Sequence, residues 1–212
     1  IGHPGFSAPA RPPYAGDAHS AWLAEVMDGL GIARAAFVGT SLGGWLAVDH
    51  ALRRPERVQA LVLIVPGGIG RERMSMARIL LTVLPLRLFG APGRRASMRR
   101  LLGPPPTRDS AAVRTIGELF ELVNRHFRHR FDPLPRFGDD DLARLTQPTL
   151  LVVGLEDPML DSAESIARLT RLARDVETIA LPDAGHVLFG QTRAIADFLE
   201  RRLGGRAGRG VT

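Results

Sequence analysis

Gly39-Thr40-Ser41-Leu42-Gly43 is the stretch of this sequence whose spacing most directly suggests chemistry. A G-x-S-x-G run arises easily by chance in a chain with 23 glycines, so its setting decides what it means. Here the apolar run Ala35 to Val38 precedes it, and a helical apolar pattern from Leu42 to Arg53 follows. A serine on so tight a strand-to-helix turn is held in strained backbone with its hydroxyl exposed. The next N–H, that of Leu42, opens the helix and points toward the same space, where it would stabilise a developing oxyanion. Gly39 and Gly43 are expected to allow the strand and helix to approach closely. The plainer alternative, Ser41 as an ordinary helix N-cap, explains the hydroxyl but not the strand before it.

A serine hydroxyl is a poor nucleophile without a base. The chain has six histidines. His186, in Asp183-Ala184-Gly185-His186, follows the last apolar run and falls in a loop at the C-terminal end of a strand. Ligand sites of open α/β sheets lie along that edge. The base in turn needs a carboxylate to fix its tautomer and support its cation. Gly154-Leu155-Glu156-Asp157 follows the preceding strand, and Asp157 is the expected partner, with Glu156 and Asp161 as rivals. Pro66-Gly67-Gly68, the turn after the strand before that, carries no acid. Ser41, Asp157 and His186, with the Leu42 N–H as oxyanion donor, would perform acyl transfer to water with no cofactor and no metal.

The elements that must position these groups follow from periodicity. A helix is expected from Asp17 to Leu30, with Asp17 as N-cap and Trp22, Leu23, Val26, Met27 and Leu30 on its apolar face. Ala35 to Val38 reads as a strand, Leu42 to Arg53 as a helix, and Val58 to Val65 as a strand buried on both faces. The alternation then lapses over residues 71–145, an Arg- and Pro-rich segment expected to be an inserted helical cap. One amphipathic helix is expected within it, from about Asp109 to Arg130. Thr149 to Val153 and Val176 to Leu181 read as strands, Ser162 to Arg174 and Gln191 to Leu203 as helices. The expected organisation is an incomplete α/β core at 1–70 and 146–203, the cap at 71–145, and a disordered Gly/Arg-rich tail at 204–212. Repeated strand–helix units with fully apolar strands imply a mostly parallel sheet flanked by helices.

Composition narrows the function classes. The absence of cysteine excludes disulfides, thiolate metal sites and a cysteine nucleophile. A net charge of +6 comes entirely from arginine, and the arginines are dispersed rather than gathered with aromatics, which argues against nucleic acid as a partner. No run reaches the roughly 18 apolar residues of a membrane span. The expected partner is a small-molecule acyl substrate, and a cytoplasmic location is the default.

Taken together, five stretches resemble the α/β-hydrolase superfamily, in its esterase-like branch with a helical cap. They are Gly2-His3-Pro4-Gly5-Phe6-Ser7, Val38 through Gly44, Arg54 through Val58, Val153 to Asp157, and Gly185-His186. The chain order Ser, Asp, His is the order of that superfamily. The resemblance implies about four strands ahead of the opening loop and a His-Gly motif supplying a second oxyanion donor. Neither is found, so an N-terminally truncated chain is expected, with a bare apolar edge on the strand before Ser41 and little activity when expressed alone. A C–C bond hydrolase, a lactonase or a cofactor-free perhydrolase or haloperoxidase would use the same three residues. A non-catalytic ligand receptor on this scaffold is a reading from another class. His126 and His129, three apart, are expected on a solvated helix face rather than at a metal. His50 and Trp45 are expected in the core, and His3 and Phe6 in a loop that would border the site. The apolar stretch from Met74 to Phe89 is expected to pack the cap on the core.

Overall fold

The computed structural model describes residues 2, 4–74, 81, 85–103, 115, 117–119, 122, 123, 126, 127 and 132–204. One sheet holds β1 (Ala35–Thr40), β2 (Val58–Ile64), β3 (Thr149–Gly154) and β4 (Val176–Leu181), in chain order and with every pairing parallel. The helices among the described residues are α1 (Ala18–Gly29), α2 (Leu42–Arg53), α3 (Gly90–Leu102), α4 (Asp139–Ala143), α5 (Ser162–Leu172) and α6 (Thr192–Leu203). Short 3₁₀ turns occupy Pro55–Arg57 and Pro85–Phe89.

The nearly unbroken apolar character of β2, interrupted by Gln59 alone, has its cause in two covered faces. Leu61 and Leu63 pack on one side with Trp45 and Val48 of α2, Leu142 of α4 and Leu169 of α5. Ala60 and Val62 point the other way, where they meet Leu150, Val152 and Phe198 of α6. A strand buried on both faces has no polar alternation to show, which is why β2 and β3 read as continuous runs. β1 differs. Among the described strands it pairs with β2 alone, and Val38 is 53% exposed, as an open edge requires.

Several expectations need correction. Asp17 precedes α1, but its side chain does not cap the helix; it pairs with Arg54 at 2.7 and 2.9 Å. Of the proposed apolar face, Met27 is buried while Val26 and Leu30 are 41% and 69% exposed, so α1 rests on α2 by a narrower contact than its sequence suggests. α3 and α4 were not expected. In α3, four arginines at 94, 95, 99 and 100, with Gly90, Pro92 and Gly93, hide any apolar stripe. α4 is barely more than one turn, opened by three aspartates at 139–141. Most of the helix expected over 109–130, His3, His129 and the tail from 205 onward lie outside the described residues. His126 is helical and exposed, Phe6 is fully exposed, and His50 is fully buried.

Candidate active site

Ser41 sits between β1 and α2 with φ 53° and ψ −113°. Left-handed backbone at a non-glycine residue costs on the order of 1–3 kcal/mol and persists only where neighbours enforce it. Here the enforcement is visible. The Ser41 N–H donates to Ile64 O at 2.9 Å, extending the β1–β2 ladder by one bond. Its carbonyl accepts from the N–H groups of Gly44 at 3.0 Å, Trp45 at 3.2 Å and Gly67 at 3.1 Å. The turn is therefore bound to β2, to α2 and to the loop after β2.

The glycines do not share the work as the sequence suggests. A Cβ on Gly39 would collide with the Gly43 carbonyl and come within 2.6 Å of Gly44 N. A Cβ on Gly43 meets nothing within 4 Å, whereas one on Gly44 would lie 2.8 Å from Pro66 Cβ. The close approach thus needs Gly39 and Gly44, and Gly44 escaped the sequence pattern. Val65 was also missed: it has φ 42°, uncommon for a β-branched residue, and it begins the turn whose Gly67 holds Ser41.

His186 lies in the loop after β4, buried, with Nε2 3.0 Å from Ser41 Oγ. Its Nδ1 is 2.7 Å from Asp157 Oδ2. Asp157, 1% exposed, has its other oxygen occupied: Oδ1 accepts the N–H of Met159 at 2.7 Å and of Leu160 at 3.1 Å. A carboxylate only accepts, so Nδ1 must carry the proton of a neutral His186. Nε2 is then the lone-pair nitrogen and accepts from the Ser41 hydroxyl. The arrangement is a continuous proton path from hydroxyl to imidazole, with a carboxylate behind it that is fixed by two backbone donors.

The rival acids fall elsewhere. Glu156 is exposed. Asp161 caps α5 by accepting from Glu164 N at 3.0 Å, and its carboxyl is held below the ordinary range by that bond, against a smaller opposing effect of desolvation, and by Arg73 and Arg71. Leu42 opens α2, so its N–H has no intrahelical acceptor. It lies next to Ser41 in the half-buried turn. Trp45 is 2% exposed and donates from Nε1 to Pro135 O at 2.7 Å, a core residue as expected. No group of three or more potential metal-binding side chains occurs among the described residues. No described helix is long and apolar enough to cross a membrane.

A cavity of about 730 Å³ opens away from these residues, between α2 and residues 135–144. Its arginines are ion-paired: Arg53 with Asp49 and Arg54 with Asp17 at 2.7 Å each and Arg144 with Asp141 at 3.6 Å within the wall, and Arg136 with Glu164, outside it, at 2.6 Å. That pairing leaves little charge to recognise a ligand.

A parallel sheet, a strained serine between strand and helix, and an aspartate and a histidine from the loops after β3 and β4 define a hydrolase-type α/β scaffold. The chain belongs to the alpha/beta hydrolase family, whose model matches residues 1–198. It is 26% identical over 179 residues to the uncharacterized carboxylesterase nap of Bacillus subtilis, covering 79% of this chain and 55% of that protein. It is 32% identical over 183 residues to the 2-hydroxymuconate semialdehyde hydrolase of Pseudomonas putida, covering 76% of this chain and 60% of that one. The naproxen esterase structure from B. subtilis superposes with a TM-score of 0.66 at 24% identity, over 87% of this chain and 65% of that chain. At that identity the likeness speaks to the fold alone. The chain spans little more than half the length of the first curated relatives it matches.

Proposed function

We propose that this chain carries the catalytic residues of a serine hydrolase acting on a carboxylic ester or related acyl substrate. The observation that supports it best is the unbroken path from Ser41 Oγ through His186 to Asp157, at 3.0 and 2.7 Å. In this reading Ser41 Oγ attacks the substrate carbonyl carbon as its proton passes to His186 Nε2. Asp157 steadies the imidazolium through Nδ1. The Leu42 N–H receives the oxyanion. Collapse of the tetrahedral adduct expels the alcohol, which takes the proton from Nε2 and leaves Ser41 acylated. Water then attacks the acyl carbon, giving its proton to His186, and the acid leaves as Ser41 is restored. Neither a cofactor nor a metal enters any step. Residues 71–145 are the proposed cap, and a cap over the serine is where substrate choice would be made.

A second reading keeps the three residues and changes the bond. The P. putida relative is a 2-hydroxymuconate semialdehyde hydrolase, so cleavage of a C–C bond beside a carbonyl group is the alternative chemistry for this site. A p-nitrophenyl ester series of increasing acyl length, run beside a small lactone and a β-diketone, separates the two. Ester turnover that vanishes in Ser41→Ala supports the first reading. Diketone cleavage with negligible ester turnover replaces it with the second, and binding without turnover of any member contradicts both.

A further inference from the structure

The inserted segment reaches the proposed catalytic residues at a point the reaction scheme does not use. α3 ends at Leu102, and the last carbonyls of a helix have no intrahelical donor. The Leu102 carbonyl accepts the backbone N–H of His186 at 2.7 Å. Gly103 follows with φ 84° and ψ −163°, a region open essentially to glycine alone. A Cβ there would lie 2.7 Å from Gly185 Cα and 3.1 Å from Glu156 O. Conversely, a Cβ on Gly185 would collide with Leu102 O and lie 2.8 Å from Gly103 Cα, and one on Gly154 would collide with the carbonyls of Ala184 and Gly185. Three glycines, at the end of β3, in the histidine loop and past the end of α3, thus nest at one spot. Glu156 N–H donates to Ala184 O at 2.9 Å there, joining the aspartate loop to the histidine loop.

The start of the inserted segment is stitched to the other side of the same aspartate loop. Glu72 and Leu160 form an antiparallel bridge. Arg73 N–H donates to Met159 O at 2.7 Å, and Asp161 N–H to Arg71 O at 2.9 Å. Met159 and Leu160 are the residues whose own N–H groups hold Asp157. Both loops that present the base and its carboxylate are therefore bonded to the inserted segment by main chain.

We propose that Leu102 and Gly103, at the C-terminus of α3, are positioning residues for His186, so that the placement of the inserted segment governs how well Ser41 is activated. This rests on the reading of Ser41, His186 and Asp157 given above. The effect is geometric rather than electrostatic: Arg99 and Arg100 in the last turn of α3 offset the negative end of its dipole. What the helix end supplies is a fixed acceptor for the His186 N–H and a glycine contact that admits no side chain.

The test uses a small fluorophosphonate, which needs Ser41 and its base but makes little use of a substrate pocket, and reads both labelling stoichiometry and rate on the native protein. Gly103→Ala is expected to keep one label per chain while the rate constant falls at least tenfold, and to lower kcat for a p-nitrophenyl ester with KM within twofold. Arg95→Ala, on the exposed side of α3, is expected to match wild type. Hydrogen exchange supplies a readout that needs no variant to fold: the His186 amide is expected to exchange at least a hundredfold slower than in an unstructured peptide. An unprotected His186 amide in the wild type overturns the proposal. So does a Gly103→Ala protein whose rate constant stays within twofold, whether or not fewer chains label. If the wild type does not label at all, or labels equally in Ser41→Ala, the underlying reading of the site has failed instead.

Discussion

Each group around Ser41 is held by a partner that leaves one function free, and this allows sharp tests. Asp157→Asn is informative because the two carboxylate oxygens have different duties. An Asn oxygen in place of Oδ1 still accepts from Met159 and Leu160, so the loop should remain folded. The amide NH₂ then faces His186 Nδ1, a donor against a donor, and turns the ring to the tautomer with its proton on Nε2, toward Ser41. The expected result is a melting temperature within a few degrees of wild type and a kcat lower by about 10⁴. The glycines of the turn offer a second contrast. Gly39→Ala drives a methyl into the Gly43 carbonyl and should cost several kcal/mol, read as lost soluble protein or a collapsed denaturation midpoint. Gly43→Ala places its methyl in open space near the start of a helix and should change stability by no more than about 1 kcal/mol, in the favourable direction.

At the scale of elements, α5 joins the two ends of the proposed cap. Arg168, 9% exposed, donates to Ile69 O, to Phe137 O at 2.9 Å and to Asp139 at 2.6 Å. Glu164 binds Arg71 at 3.0 Å and Arg136 at 2.6 Å. Arg168→Leu removes the donor of Phe137 O and leaves Ile69 O and the Asp139 carboxylate only Arg136 and Arg171, and about 2–4 kcal/mol of stability should go with it in a urea titration. The elements that bear Ser41, Asp157 and His186 were legible in the sequence because β2 and β3 are buried on both faces and α2 has a broad apolar side. α2 runs over Leu42–Arg53 and β4 over Val176–Leu181, both at the boundaries their periodicity marks. α3 was not legible, since a helix whose first turn holds Gly90, Pro92 and Gly93 and whose exposed positions mix Arg95, Arg99 and Arg100 with Ala96 shows no stripe. Asp157 was the acid expected from the sequence, and Glu156 and Asp161 stood as rivals because all three follow one strand and which of them reaches His186 depends on how residues 155–161 turn. The contacts of Leu102 with His186 and of Gly44 with Pro66 are long-range main-chain approaches that leave no local pattern.

Over the whole molecule, buried and paired ionisable groups set how stability responds to pH. His50 is fully buried, its Nδ1 is 2.9 Å from Ser20 Oγ, and its Nε2 has no hydrogen-bond partner among the described residues. Desolvation first, then the Arg54 charge, holds its pKa below the ordinary 6.5. The unfolded chain therefore binds a proton that the folded chain refuses, and stability is lost as pH falls below about 6.5. His50→Gln should flatten the fall in melting temperature between about pH 7.5 and 5.5 relative to wild type; an unchanged slope would assign it to another group. Asp161 and Asp139, lowered mainly by the Glu164 N–H and by Arg168 respectively, add stability that is present above about 3.8 and is lost as pH drops through their folded values. The central claim is that these elements exist to make Ser41 nucleophilic, and covalent labelling tests it most directly. Treated with a fluorophosphonate and mapped by peptide mass, the protein should carry one adduct, on Ser41, absent from Ser41→Ala and formed at least 10³ times more slowly in His186→Ala. An adduct on any other residue, or a His186→Ala protein that labels at the wild-type rate, would contradict the account.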